Sequence, residues 1–129
     1  MSSVNPPDWP RPRGYSNGMV RSGRVLAVAG QVGWNERGDF VSDAMLGQAA
    51  QALRNVLAVV RAAGGEAHHV IRLTWYVTDK HAYLDCAREL GRLYRELFGE
   101  HYPAMSLVQV AALLEDRALV EIEATAVLD

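Results

Sequence analysis

The residues from Pro103 to Val127, PAMSLVQVAALLEDRALVEIEATAV, constrain the fold more than any other stretch of the chain. Two runs rich in β-branched and aliphatic residues flank the charged segment Glu115-Asp116-Arg117, which predicts a β-hairpin with a tight turn. In the second run Leu119, Glu121, Glu123 and Thr125 share one face at period two, while Val120, Ile122, Ala124 and Ala126 share the other. One face is apolar. The other carries two carboxylates, and a carboxylate on a sheet face needs water, a partner or a chemical task.

Upstream, residues 1–13 hold Pro6, Pro7, Pro10 and Pro12, so they read as an extended arm with Trp9 as the large apolar anchor. Residues 14–129 read as a single domain. A loop at Gly14 to Gly18 leads to Met19-Val20-Arg21, a turn at Ser22-Gly23 and a strand Val25–Ala29, together a first hairpin. It ends in Gly30-Gln31-Val32-Gly33-Trp34-Asn35, where glycine permits close backbone approach. After a turn at Gly38-Asp39, Ser42 and Asp43 are natural N-caps. Leu46, Ala50, Leu53, Leu57 and Val60 then form the apolar stripe of a helix over 43–63, closed by Gly64-Gly65.

Val70 to Thr78 alternates as a strand, with Ile71, Leu73, Trp75 and Val77 on one side. Asp79 caps a second helix, striped by Tyr83, Ala87, Leu90, Tyr94 and Leu97 and ended by Gly99. The order ββαβαββ predicts an α+β sandwich, a mostly antiparallel sheet with two helices on one face. Met105, Leu107 and Val25 suggest that the other face is covered as well, and burial against copies of the same chain in a closed ring accounts for that.

A 129-residue chain that is half hydrophobic and 22% charged has the composition of a globular domain. Its net charge of −2 gives no basic field for a phosphate backbone, so nucleic acid is not expected as a partner. No apolar stretch approaches membrane-spanning length, and the default location is cytoplasmic. The single cysteine, Cys86, rules out an intramolecular disulfide and reads as a packing residue. His68 and His69 are adjacent and read as solvent-exposed or facing opposite ways. His101 is explained by a helix C-terminus. No spacing fits a zinc site, no phosphate loop or nucleophile elbow is present, and neither metal nor cofactor is expected.

The 103–127 block resembles the C-terminal block of the Rid family (YjgF, imine/enamine deaminases once labelled endoribonucleases), which reads approximately P-A-R-S-x-V-x-V-x-x-L…V-E-I-E-A-x-A. Gly14-Tyr15-Ser16, Ala29-Gly30-Gln31, Ala62-Ala63-Gly64-Gly65 and Thr74-Trp75-Tyr76-Val77-Thr78-Asp79 match as well, so the similarity covers nearly everything after residue 13. It implies a fold like that of chorismate mutase and a homotrimer whose sheets enclose a central barrel. Small molecules then bind in clefts between neighbouring subunits.

By resemblance, Glu121 is the glutamate that positions or activates water and Tyr15 the tyrosine of the N-terminal loop. Gly30 is the turn that offers backbone groups, with Gln31 beside it. Trp34 either lines the same cleft or anchors an interface. Gly91 stands where some members place an asparagine. Met105 stands where catalytic members carry an arginine that clamps the substrate carboxylate, and Leu107 lies beside it. Methionine offers apolar surface and no donor, so an α-imino acid should be turned over poorly. The expected ligand lacks a free α-carboxylate, or is larger and more apolar at that end.

Two roles remain open for Glu121, holding a water or pairing with a cation such as Arg13 or Arg21. Three functions follow: hydrolysis of a small imine or enamine to a carbonyl compound and ammonia, non-catalytic binding or chaperoning in the same clefts, and, least supported, RNA cleavage.

Overall fold

In the computed structural model, which describes residues 2–129, the strand with the strict alternation lies between two others. The elements are β1 (Ser2–Val4), β2 (Gly18–Val20), β3 (Arg24–Gln31), α1 (Met45–Ala62), a 3₁₀ turn (Ala67–His69), β4 (Val70–Val77), α2 (Lys80–Asp85), α3 (Ala87–Phe98), β5 (Ala104–Gln109) and β6 (Val120–Leu128). The main sheet runs β3-β6-β4-β5, with β6 antiparallel to both neighbours and β5 parallel to β4. Val120, Ile122, Ala124 and Ala126 face the helices and are buried, while Glu121, Glu123 and Thr125 lie half-buried on the opposite, open face. The α+β sandwich with helices on one face is the observed fold. The sheet is mixed.

Neither expected hairpin forms. β5 and β6 are separated by β4, whose terminal residues are bonded on both sides, Val110 N–H to the Val77 carbonyl (2.8 Å) and Thr78 N–H to the Leu119 carbonyl (3.1 Å). Neighbouring strands lie about 4.8 Å apart, so crossing one strand needs roughly 10 Å, beyond the reach of a two-residue turn. Residues 110–119 make that crossing as a loop. Near the N-terminus, β2 pairs with β1 rather than with β3, and Asn17 N–H donates to Asn5 Oδ1 (2.9 Å). The arm is thus held by strand pairing and not by Trp9, which is 59% exposed; its residue 1 lies outside the described residues.

Helix α1 buries Leu53, Val56, Leu57 and Val60 against the sheet. Its N-cap is Ala44, without a side-chain cap. Ser42 Oγ accepts from Ala44 N–H instead (3.0 Å), and Asp43 pairs with Arg117 (2.6 Å). The second helix is broken at Cys86, whose backbone (φ −112°, ψ 12°) leaves the helical region and separates α2 from α3. Asp79 caps α2 as expected, accepting from His81 and Ala82 N–H. Cys86 is half-buried against the core, and burial raises its thiol pKa. Among the described residues no helix is long and apolar enough to cross a membrane.

One polar residue inside the α1 stripe is structural. Gln48, fully buried, donates through Nε2 to the Ser42 and Arg117 carbonyls (3.0 Å each) and accepts from Leu119 N–H (2.8 Å). It therefore fixes the 110–119 loop to the start of α1. Gly33 packs on it so closely that a Cβ there would lie 2.6 Å from Gln48 Cα.

The histidines also differ from expectation, because His69 is 5% exposed. Its Nδ1 accepts from Glu66 N–H (2.8 Å), and its Nε2 faces the Asp129 carboxylate (3.4 Å), which also pairs with Arg21. The hydrogen bond from His69 holds the Asp129 carboxyl below its usual pKa. His101 Nε2–H donates to the Val70 carbonyl (2.6 Å), and burial lowers its pKa.

Removing three buried hydrogen bonds should make Gln48→Ala less stable by about 2–4 kcal/mol in urea unfolding. His101 prefers its neutral form in the fold, so its contribution is complete above its ordinary pKa of 6.5 and lost as pH falls through its lower folded value. Unfolding free energy should accordingly fall as pH drops below that ordinary value, and His101→Gln should flatten that fall.

Candidate functional site

The bulge that ends β3 positions the first half of the candidate site. Register shifts between Val28 and Gln31 where β3 runs beside β6, and Gly30 lies in the bulge against Glu121. A Cβ on Gly30 would fall 2.7 Å from Glu121 Cδ, so only glycine lets that carboxylate lie over the strand end. The two acids of this face are not equivalent. Glu123 accepts a hydrogen bond from the Tyr76 hydroxyl (2.6 Å), whereas Glu121, opposite Tyr76 across the strand pair, has no hydrogen bond or ion pair among the described residues. Neither Arg13 nor Arg21 pairs with it. Glu123, through the hydrogen bond and then its charge, raises the pKa of Tyr76, with burial and Glu121 adding to the shift.

The second half is a cavity of about 480 Å³ between the β5 edge and α3. Ser16 holds the N-terminal loop beside β5 through its N–H to the Pro103 carbonyl (3.0 Å) and its hydroxyl to the Tyr102 carbonyl (2.6 Å). That places Tyr15, 40% exposed, at the cavity with Met105, Leu107 and Gly91. In register Met105 lies beside Leu73 and Leu107 beside Trp75, on the helix side of the sheet. The expectation that Met105 and Leu107 share the open face with Val25 is therefore incorrect; of the three only Val25, 73% exposed, lies there. Alternation along β5 sets this, and Ser106 and Val108 take the open face.

The expected site residues thus form three groups within one protomer. Tyr15, Gly91, Met105 and Leu107 line the cavity. Glu121 and Gly30 meet on the other face, because Leu73, the β4 partner of Met105, and Tyr76, the β4 partner of Glu121, point to opposite sides. Gln31 and Trp34 line a separate groove along α1, where Trp34 packs against Phe40 (5.9 Å between ring centroids) and its carbonyl accepts from Asn55 (2.8 Å). Among the cavity residues that sequence reasoning missed are Trp75, Arg13 and Arg95. Trp75 reads as ordinary core in the alternating strand, and Arg95 as solvated helix surface. Only the spacing of Arg95 four residues after Gly91 signalled that its guanidinium could lie over that glycine.

Chemically, a half-buried carboxylate with unused acceptor capacity can hold a water and take its proton. The cavity, with Leu90 and Leu107 in its wall, suits an apolar molecule of moderate size. Among the described residues no group of three His, Cys, Asp or Glu side chains is placed to hold a metal ion.

Residues 10–128 match the model of the family described as endoribonuclease L-PSP. The chain is 35% identical over 111 residues to a 2-iminobutanoate/2-iminopropanoate deaminase of Escherichia coli K12, covering 84% of this chain and 83% of that protein. It is similar to the crystal structure of the Rid family protein YyfB from Yersinia pestis, with a TM-score of 0.83, 36% identity and 98% of each chain covered. The structure of Escherichia coli TdcF with bound serine superposes with a TM-score of 0.70 at 33% identity, over the whole of both chains.

The Tyr76–Glu123 pairing makes a direct prediction. In wild type the Tyr76 phenol should ionise above its ordinary value of 10, and Glu123→Gln should bring it back down, as followed by carbon-13 tyrosine NMR. An unchanged Tyr76 titration would remove the hydrogen bond as the cause.

Proposed function

The chain belongs to the endoribonuclease L-PSP family, which takes in the Rid proteins, and on that premise we propose that it hydrolyses a small imine or enamine lacking a free α-carboxylate. The products are a carbonyl compound and ammonia, and the cleft is completed between copies of the chain in a homotrimer. The observation that carries this reading is Glu121: a half-buried carboxylate, left without a partner beside a glycine bulge, on a sheet face whose neighbours Val25 and Val108 are exposed in one chain. Covering that face with a second copy removes this apolar surface from water and brings another protomer's wall to the carboxylate.

The chemistry asks little of the protein. An enamine first gains a proton on carbon, and an imine on nitrogen, so both react as the protonated C=N group. Glu121 accepts a hydrogen bond from a water that attacks the C=N carbon, and takes the proton released as the C–O bond forms. The resulting carbinolamine takes that proton back on nitrogen and collapses, ammonia leaving as the hydroxyl gives its own proton to Glu121 and becomes the carbonyl. Holding water and substrate together supplies much of the acceleration.

Met105 sets the substrate preference. The 2-iminobutanoate named for the relatives carries a carboxylate beside the reacting carbon, and a thioether cannot donate to it. That favours substrates whose reacting end is uncharged. RNA cleavage, suggested by the family's older name, has no support from the net charge of −2.

Ammonia release from a panel of imines and enamines tests the reading. Glu121→Gln should lower turnover by about 100-fold or more, and Met105→Arg should raise the rate on 2-iminobutanoate by about tenfold. Turnover by Glu121→Gln equal to wild type on every accelerated substrate would sink the assignment, and tight binding with no ammonia would favour the non-catalytic module. Sedimentation should give a trimer, and a stable dilute monomer would contradict the shared cleft.

A further inference from the structure

We propose that the cavity between β5 and α3 is an anion site whose cations are Arg95 and Arg13, and that its ligand is a small carboxylate with an apolar body. Both arginines line the cavity, and no aspartate or glutamate among the described residues does. Neither arginine has an ion-pair partner among the described residues, although the chain as a whole is acidic. The local field therefore opposes the net charge.

The sequence of α3 makes room for one of these cations. A Cβ on Gly91 would have Arg95 Nη1 as its nearest neighbour, at 3.8 Å, so the guanidinium lies back along the helix over a residue with no side chain. Arg13 reaches the same cavity from the N-terminal loop that Ser16 ties to β5. Position 105, which supplies no donor, is thereby compensated from two other elements.

Trp75 contributes to the wall of the same cavity. It lines the cavity at 3% exposure, and its indole Nε1–H has no acceptor among the described residues. That nitrogen is itself closed to solvent, so Trp75 meets the cavity through its ring carbons, and its indole signal reports what is bound beside it. Leu90, Leu107 and the Tyr83 ring, edge-on to Trp75 at 5.9 Å, supply the apolar wall. A volume of about 480 Å³ accommodates a molecule the size of a substituted ring.

Resting on the reaction proposed above, this restricts the substrate to an imine or enamine whose carboxylate is separated from the C=N carbon by an apolar spacer. The reacting end then meets Met105, and the anionic end meets Arg95 and Arg13. The binding site itself stands whether or not the chain hydrolyses imines.

The test compares 3-phenylpropanoate with its neutral analogue 3-phenylpropanamide by calorimetry, and follows the Trp75 indole resonance by nitrogen-15 NMR. The carboxylate should bind about tenfold tighter than the amide and shift the Trp75 signal, and added salt should weaken it. Arg95→Gln and Arg13→Gln should each erode the preference, the double variant should abolish it, and Arg95→Lys should retain part of it. Equal affinity for the two probes, a preference that survives the double variant, or an unmoved Trp75 resonance would each overturn the site. Because the readout is binding, ammonia release that persists while the preference is absent would sink this inference alone, and the reverse result would sink only the hydrolytic reading.

Discussion

Pairing of β6 on both edges is the constraint on which the rest of the structure depends. With β3 on one side and β4 on the other, the strand cannot slip by one residue without turning Val120, Ile122, Ala124 and Ala126 to the open face and its two glutamates into the core. Burying two carboxylates under α1 would cost several kcal/mol each. The register is thereby fixed, and with it the side of the sheet on which Glu121 must stand. The mixed topology follows, since β5 can reach the sheet only on the far edge of β4, through the crossover made by α2 and α3.

That arrangement puts the candidate site residues on two sides of the sheet inside one protomer. Glu121 and the Gly30 bulge occupy the open face, whereas Tyr15, Met105, Leu107 and the cavity arginines occupy the helix side near the β5 edge. Tyr76 satisfies Glu123 and leaves Glu121 free, a division of labour between two carboxylates that differ only in what stands across the strand. Joining the two halves is the physical argument for a cleft between copies of the chain. Where Met105 supplies no donor, α3 and the N-terminal loop bring Arg95 and Arg13 to the same cavity.

Much of the fold was legible because alternation and helical stripes are local signals. The faces of β6, the face of β4 from Leu73 to Val77, the α1 stripe and the Asp79 cap appear as read from the residues. The register shift at Val70–Arg72 puts Val70 rather than Ile71 in the core, and β1 and the break at Cys86 add to the element order. The hairpins were not legible, since turn residues such as Glu115-Asp116-Arg117 mark a reversal without saying whether another strand lies inside it. Gln48 escaped for a related reason. A glutamine within an apolar stripe looks like an interruption until the Ser42, Arg117 and Leu119 backbone groups it satisfies are placed around it.

By itself, then, the sequence determined which residues share a face and which family pattern they follow, including the methionine at position 105, because both are properties of neighbours along the chain. Only the tertiary structure decided that Met105 and Glu121 lie on opposite sides of one sheet, that Arg95 lies over Gly91, and that the Trp75 indole lacks an acceptor. Those are relations between residues far apart in the chain, set by strand order and helix placement, and periodicity carries no information about which strand becomes the neighbour of which.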